Sequence, residues 1–64
     1  MTRAQQLIQR ILTEAYPGMG GLSALARDLE VTAVSLANWR KGKTPQCRMM
    51  LKLEALAEEY GISV

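Results

Sequence analysis

In the stretch NWRKGKTPQCR, residues 38–48, an amide and a tryptophan are followed by four cations, Arg40, Lys41, Lys43 and Arg48, with Gly42 and Pro45 set among them. Cations at this spacing can pair with phosphate oxygens, and the main-chain amides from Gly42 to Gln46 can come close to the same anion. From Asn38 to Lys52 there are five basic residues and no acid, whereas from Leu53 onward there are three acids and no base. The net charge is only +2, so the positive charge is concentrated rather than large. One surface facing a polyanion explains such a distribution. The plainer explanation is a solvated turn at a helix end.

Other chemistries find no residues to carry them. The chain has no histidine and one cysteine, so the usual zinc ligand sets cannot form. Cys47 falls on the apolar side of the last helix and reads as a small core residue rather than a nucleophile. Glu54, Glu58 and Glu59 share one helix as a solvated face, not as an acid–base pair. An enzyme is therefore not expected, nor a metal, cofactor or small-molecule ligand. A lone thiol suits a reducing cytoplasm. No apolar run approaches the length of a membrane span, and Gln5, Gln6, Gln9 and Arg10 interrupt any signal-like segment. Sixty-four residues make one domain, 1–64, which buries roughly 60% of its unfolded surface and is marginal for that reason.

The elements that must position the basic segment are all helical, and no strand pattern or repeat occurs. The spacing predicts helices over about 3–16, 22–29, 33–41 and 45–60. Thr2 and Gln5 stand at capping-box spacing ahead of the first, whose apolar stripe is Ala4, Leu7, Ile8, Ile11, Leu12 and Ala15. Pro17 ends it, and PGMGG connects to a two-turn helix carrying Leu22, Leu25, Ala26 and Leu29. Thr32 caps the third helix, which Gly42 stops. Thr44 is placed as the cap of the fourth, with Pro45 at its first position. That helix is expected to bury Cys47, Met50, Leu51, Leu53, Ala57 and Tyr60, with Met49 and Leu56 beside them.

Two short helices across a tight break have helix-turn-helix geometry. A small residue is needed where they cross, and Ala26 is there. Val31 plugs the turn, while Leu36 and Trp39 anchor the second helix from beneath; with Leu25 and Leu29 these form the expected core. The stretch LSALARDLEVTAVSLANWRKGKTP, continued by MMLKLEALAEEYGIS, resembles the phage Cro and repressor-like (XRE-type) helix-turn-helix family over roughly residues 21–63.

The resemblance implies a four- to five-helix lambda-repressor-like domain that binds double-stranded DNA, with helix 33–41 in the major groove. A small phage-borne or bacterial repressor is the function it implies, acting in the bacterial or host cytoplasm on an operator. Ala33, Val34, Ala37 and Asn38 would then read bases: Asn38 can pair with adenine, and the three apolar side chains can only meet a thymine methyl or admit the backbone. Phosphate contacts are expected from Arg40, Lys41, Lys43, Thr44, Gln46 and Arg48, and from Ser23 near the amides that open helix two. Arg27 joins them or is simply solvated. Thr32 is a cap first and a phosphate contact second, and Ser35 donates to DNA or ties itself to the backbone. The apolar trio equally suits a protein partner, so the alternative is an interaction module on the same fold, an antitoxin or anti-regulator.

Three departures from the family pattern stand out. Glu30 occupies a turn position often held by glycine. Arg40 stands where an acid is common, which removes an internal ion pair or reverses it toward Glu14. The family's fifth helix has no counterpart after GISV, so a second subunit is expected to cover Leu56, Tyr60, Ile62 and Val64 in a homodimer with half-sites about 34 Å apart. A monomer whose core is completed by helix one is the competing arrangement.

Overall fold

The computed structural model describes residues 2–62, which form four helices and no strand. These are α1 (Arg3–Glu14), α2 (Gly21–Asp28), α3 (Ala33–Arg40) and α4 (Cys47–Glu59). The all-α expectation holds at this level. No helix among the described residues is long and apolar enough to cross a membrane.

α1 is the central element and packs against each of the other three, while α2 packs on α3. Its buried positions, Ala4, Leu7, Ile8 and Ile11, are the i, i+3, i+4, i+7 stripe of a helix with one apolar face. The capping box forms as expected. The Gln5 amide N–H donates to Thr2 Oγ1 at 3.1 Å, and the Thr2 N–H donates to Gln5 Oε1 at 2.8 Å. The helix stops at Glu14 rather than at residue 16. Pro17 disfavours the α conformation at the residue before it, so Tyr16 already belongs to the turn.

α2, α3 and α4 end alike, each with a left-handed residue that turns the chain back across the helix end. These residues are Glu30, Gly42 and Gly61, at φ 61°, 123° and 71°. The following N–H reaches back in each case: Val31 to the Ala26 carbonyl (2.9 Å), Lys43 to that of Asn38 (3.1 Å) and Ile62 to that of Ala57 (2.8 Å). This folding back delivers Val31 and Ile62 to the core formed by Leu7, Ile8, Ile11, Leu25, Ala26, Leu29, Leu36, Leu53 and Ala57. Trp39 is half-buried against the same cluster.

Glu30 is the one non-glycine residue with positive φ among those described. Its side chain is 82% exposed and has only a long, 3.8 Å ion pair with Lys52 to offset the strain. Glu30→Gly is therefore expected to stabilise the fold by about 1 kcal/mol. For a domain of this size that raises Tm by roughly 4–8 °C, read by thermal circular dichroism.

Several expectations for α4 are corrected. The N-cap is Gln46, not Thr44, and Pro45 is buried outside the helix instead of opening it. Cys47 is exposed, Leu51 is 64% exposed and Tyr60 is 48% exposed. The cause is rotational register. Leu53 and Ala57 define the buried face, and at about 100° per residue Leu51 lies roughly 200° from Leu53, on the opposite side. Cys47 is roughly 120° away by the same count. Met49, Met50 and Leu56 flank the core half-buried.

Candidate nucleic-acid interface

α3 is set up by local bonds. Thr32 is its N-cap and accepts from the Ser35 N–H at 3.1 Å, while the Thr32 hydroxyl donates to Ser35 Oγ at 3.0 Å. Both hydroxyls are thus engaged with each other, which favours the local role of Ser35 weighed above. Leu36 is fully buried and fixes which side of α3 faces in. On the far side, Val34, Asn38 and Lys41 follow at i, i+4 and i+7, one stripe along the outer face. Val34 is 71% exposed. The Asn38 side-chain amide has no hydrogen-bond partner among the described residues. Ala37 is half-buried beside the stripe, and Ala33 packs partly against the core, so it is the least available of the expected readers.

The far end of α3 is held from α1. Gln5 Nε2 donates to the Arg40 carbonyl oxygen at 3.2 Å while its Oε1 serves the Thr2 cap. One half-buried amide therefore couples the start of α1 to the end of α3. The sequence reading assigned Gln5 only to its cap, because nothing local links positions 5 and 40.

The acids sort the cations. Arg3 pairs with Glu54 at 2.9 Å, Arg10 with Glu14 at 2.6 Å and Lys52 with Glu30 at 3.8 Å. The other five of the eight cations, Arg27, Arg40, Lys41, Lys43 and Arg48, have no ion-pair partner among the described residues. Arg40 is thus not paired with Glu14, which is engaged by Arg10 on its own helix. Four of the five fall between the last residue of α3 and the first turn of α4, with Lys41 and Lys43 in the connection itself, and all five are exposed. Thr44 and Gln46, within that span, are exposed too.

Arg40 also lines an open cavity of about 610 Å³ between the end of α1 and the start of α2, with Gln9, Thr13, Tyr16 and Gly21. α2 has Gly20 as N-cap and no side chain to bond its first amides. Ser23 is exposed on this first turn, so free N–H groups and a guanidinium border the same space. Gly21 lets the chain close here. A Cβ at this buried position would overlap the Tyr16 carbonyl oxygen.

A second cluster went unread in the sequence. The Tyr16 hydroxyl donates to the Asp28 carboxylate and lies 3.4 Å from that of Tyr60, with the two rings edge-on at 6.0 Å. It ties together the ends of α1, α2 and α4. The bond to Asp28, then that to Tyr60, holds the Tyr16 phenol well above its ordinary value of 10.0. The unfolded chain therefore loses this proton first as pH rises. The contribution to stability is fully present below about pH 10 and declines above it. Tyr16→Phe is expected to flatten the fall in Tm between about pH 9 and about pH 11 relative to the parent protein.

No family model, curated protein or solved structure matches this chain. Among the described residues, no group of His, Cys, Asp and Glu is placed to hold a metal ion.

Proposed function

We propose that the protein is a sequence-specific double-stranded DNA-binding regulator, a small repressor of lambda-repressor-like helix-turn-helix type that lays α3 in the major groove. The observation that carries this reading is the partition of charge. Acids neutralise Arg3, Arg10 and Lys52 and leave Arg27, Arg40, Lys41, Lys43 and Arg48 without an ion pair among the described residues, near the ends of α2 and α3 and the start of α4. Unpaired cations of this kind supply phosphate contacts, which set register and orientation. Val34 and Asn38, on the outer face of α3, then meet base edges. The free amides of α2 and the Arg40 guanidinium suit a further phosphate.

A homodimer on a two-fold operator completes the reading, since one short helix offers few base contacts. The expected dimer surface changes in detail. Ile62 is only 8% exposed because the chain folds back after Gly61, so it is not open to a partner, and Leu56 is half-buried. Tyr60 remains exposed at the C-cap of α4, and Val64 lies outside the described residues.

The runner-up is a protein-interaction module of antitoxin or anti-regulator type, and the exposure of Val34 on the would-be reading face favours it. Selection of bound sequences from a random duplex pool separates the two. A palindromic motif, bound with a steep dependence on salt, supports the regulator. Absence of any enriched motif rejects it in favour of the interaction module.

A further inference from the structure

α3 differs from a general-purpose reading helix in what it lacks. Between Ala33 and Asn38 there is no cation and no acid. Guanine is read in the major groove by Arg or Lys through O6 and N7, and cytosine by a carboxylate that accepts from N4. Neither chemistry exists on the part of α3 that leads into the groove. What remains there is one strongly exposed branched apolar group, Val34, and the half-buried amide of Asn38, which has no hydrogen-bond partner among the described residues. The Ser35 hydroxyl is already an acceptor within the cap, and Ala37 ends at a methyl group.

We propose that this face selects A·T pairs, with the Val34 methyls packed on a thymine C5-methyl and the Asn38 amide paired to an adenine about two base steps away. The inference rests on the regulator reading and specifies its ligand. Four residues along a helix advance about 6 Å, close to two base-pair steps of 3.4 Å each. The thymine methyl is the only apolar group that the major groove presents, and a bidentate amide contact to N6 and N7 belongs to adenine alone. Val34 at 71% exposure has no partner in the fold to compete with the base, and its rotamer is stiff, so little freedom is lost on contact.

The test is a chemical double-mutant cycle on the duplex selected above. Each thymine of the motif is replaced singly by deoxyuridine, which removes the methyl and leaves pairing intact. At one thymine per half-site the parent protein should bind about fourfold more weakly, the worth of one methyl-sized group withdrawn from water. Val34→Ala should bind the unmodified duplex more weakly and show no further loss with uracil at that position. Asn38→Ala should relax the preference for adenine about two steps away by roughly tenfold or more. Val34 is exposed and alanine is a better helix former, so folding is not at risk in that variant.

If every uracil substitution is neutral, or if Val34→Ala keeps the parent's sensitivity, the assignment is overturned while the regulator reading stands. If selection yields a motif of G·C pairs, it is overturned as well. If no motif emerges, both readings fall together.

Discussion

Gly21→Ala should destabilise the protein by about 3 kcal/mol or more, at the upper end of what overpacking costs elsewhere. The new methyl group would meet a backbone oxygen, that of Tyr16, rather than a side chain able to swing away. That oxygen is itself held in place. The Tyr16 N–H bonds to the Ile11 carbonyl at 3.3 Å, its hydroxyl bonds to Asp28 at the far end of α2, and its ring leans on Tyr60. Relief therefore requires α1 and α2 to separate or the tyrosine cluster to break. A domain of this length has a total stability on the order of 3–10 kcal/mol, so the loss is a large fraction of it. A fall in Tm of more than about 10 °C is the expected readout. Gly18→Ala is the control: nothing lies within 4 Å of its Cβ, so it should cost only the strain of φ 91°, about 1 kcal/mol. Equal losses in the two variants would show that the close approach relaxes without penalty.

The second large effect concerns binding. Replacing Lys41, Lys43 and Arg48 together by glutamine should leave stability nearly unchanged, because all three are exposed and without ion pairs among the described residues. Affinity for duplex DNA should respond strongly. Each phosphate contact contributes about 0.9 to the slope of log K against log salt, so the slope should flatten by about 2.7 for each subunit bound, about 5.4 for the proposed dimer. From the same relation, binding should weaken by roughly 10³-fold at about 50 mM salt and roughly 10²-fold at about 200 mM for each subunit bound. The loss should be similar for specific and random sequences, since phosphate contacts carry no sequence information. Titration of a labelled duplex at several salt concentrations gives all of these values. An unchanged slope would mean that the cations beyond α3 do not touch the backbone, and that the charge partition has another purpose.

The mutations together separate two properties of one small surface. Gly21 and Gln5 hold α3 in place without meeting any ligand, the first by permitting a close turn and the second through its bond to the Arg40 carbonyl. Val34 and the cations without ion pairs among the described residues are exposed and available for contact, and the half-buried Asn38 amide has no hydrogen-bond partner among them.

Much of this was legible in the residues alone, for a physical reason. Helix periodicity, the Thr2 and Thr32 caps and the stop at Gly42 act within about four residues, so the order of side chains determines them without help from the rest of the molecule. The concentration of cations after Asn38 is likewise a property of the chain. Tertiary structure decided the rest. Which face of α4 turns inward depends on how α1 meets it, and the apolar pattern of that helix is broad enough to accommodate more than one rotation. Leu51 and Cys47 fell outside as a result, and Pro45 is buried ahead of the helix rather than opening it. The fold-back after Gly61 buried Ile62, which the sequence placed on a partner surface. Gln5 with Arg40, Tyr16 with Asp28 and Tyr60, and Arg3 with Glu54 all join groups from different helices or their ends. No local pattern encodes such pairs, because they exist only once packing has brought the helices together.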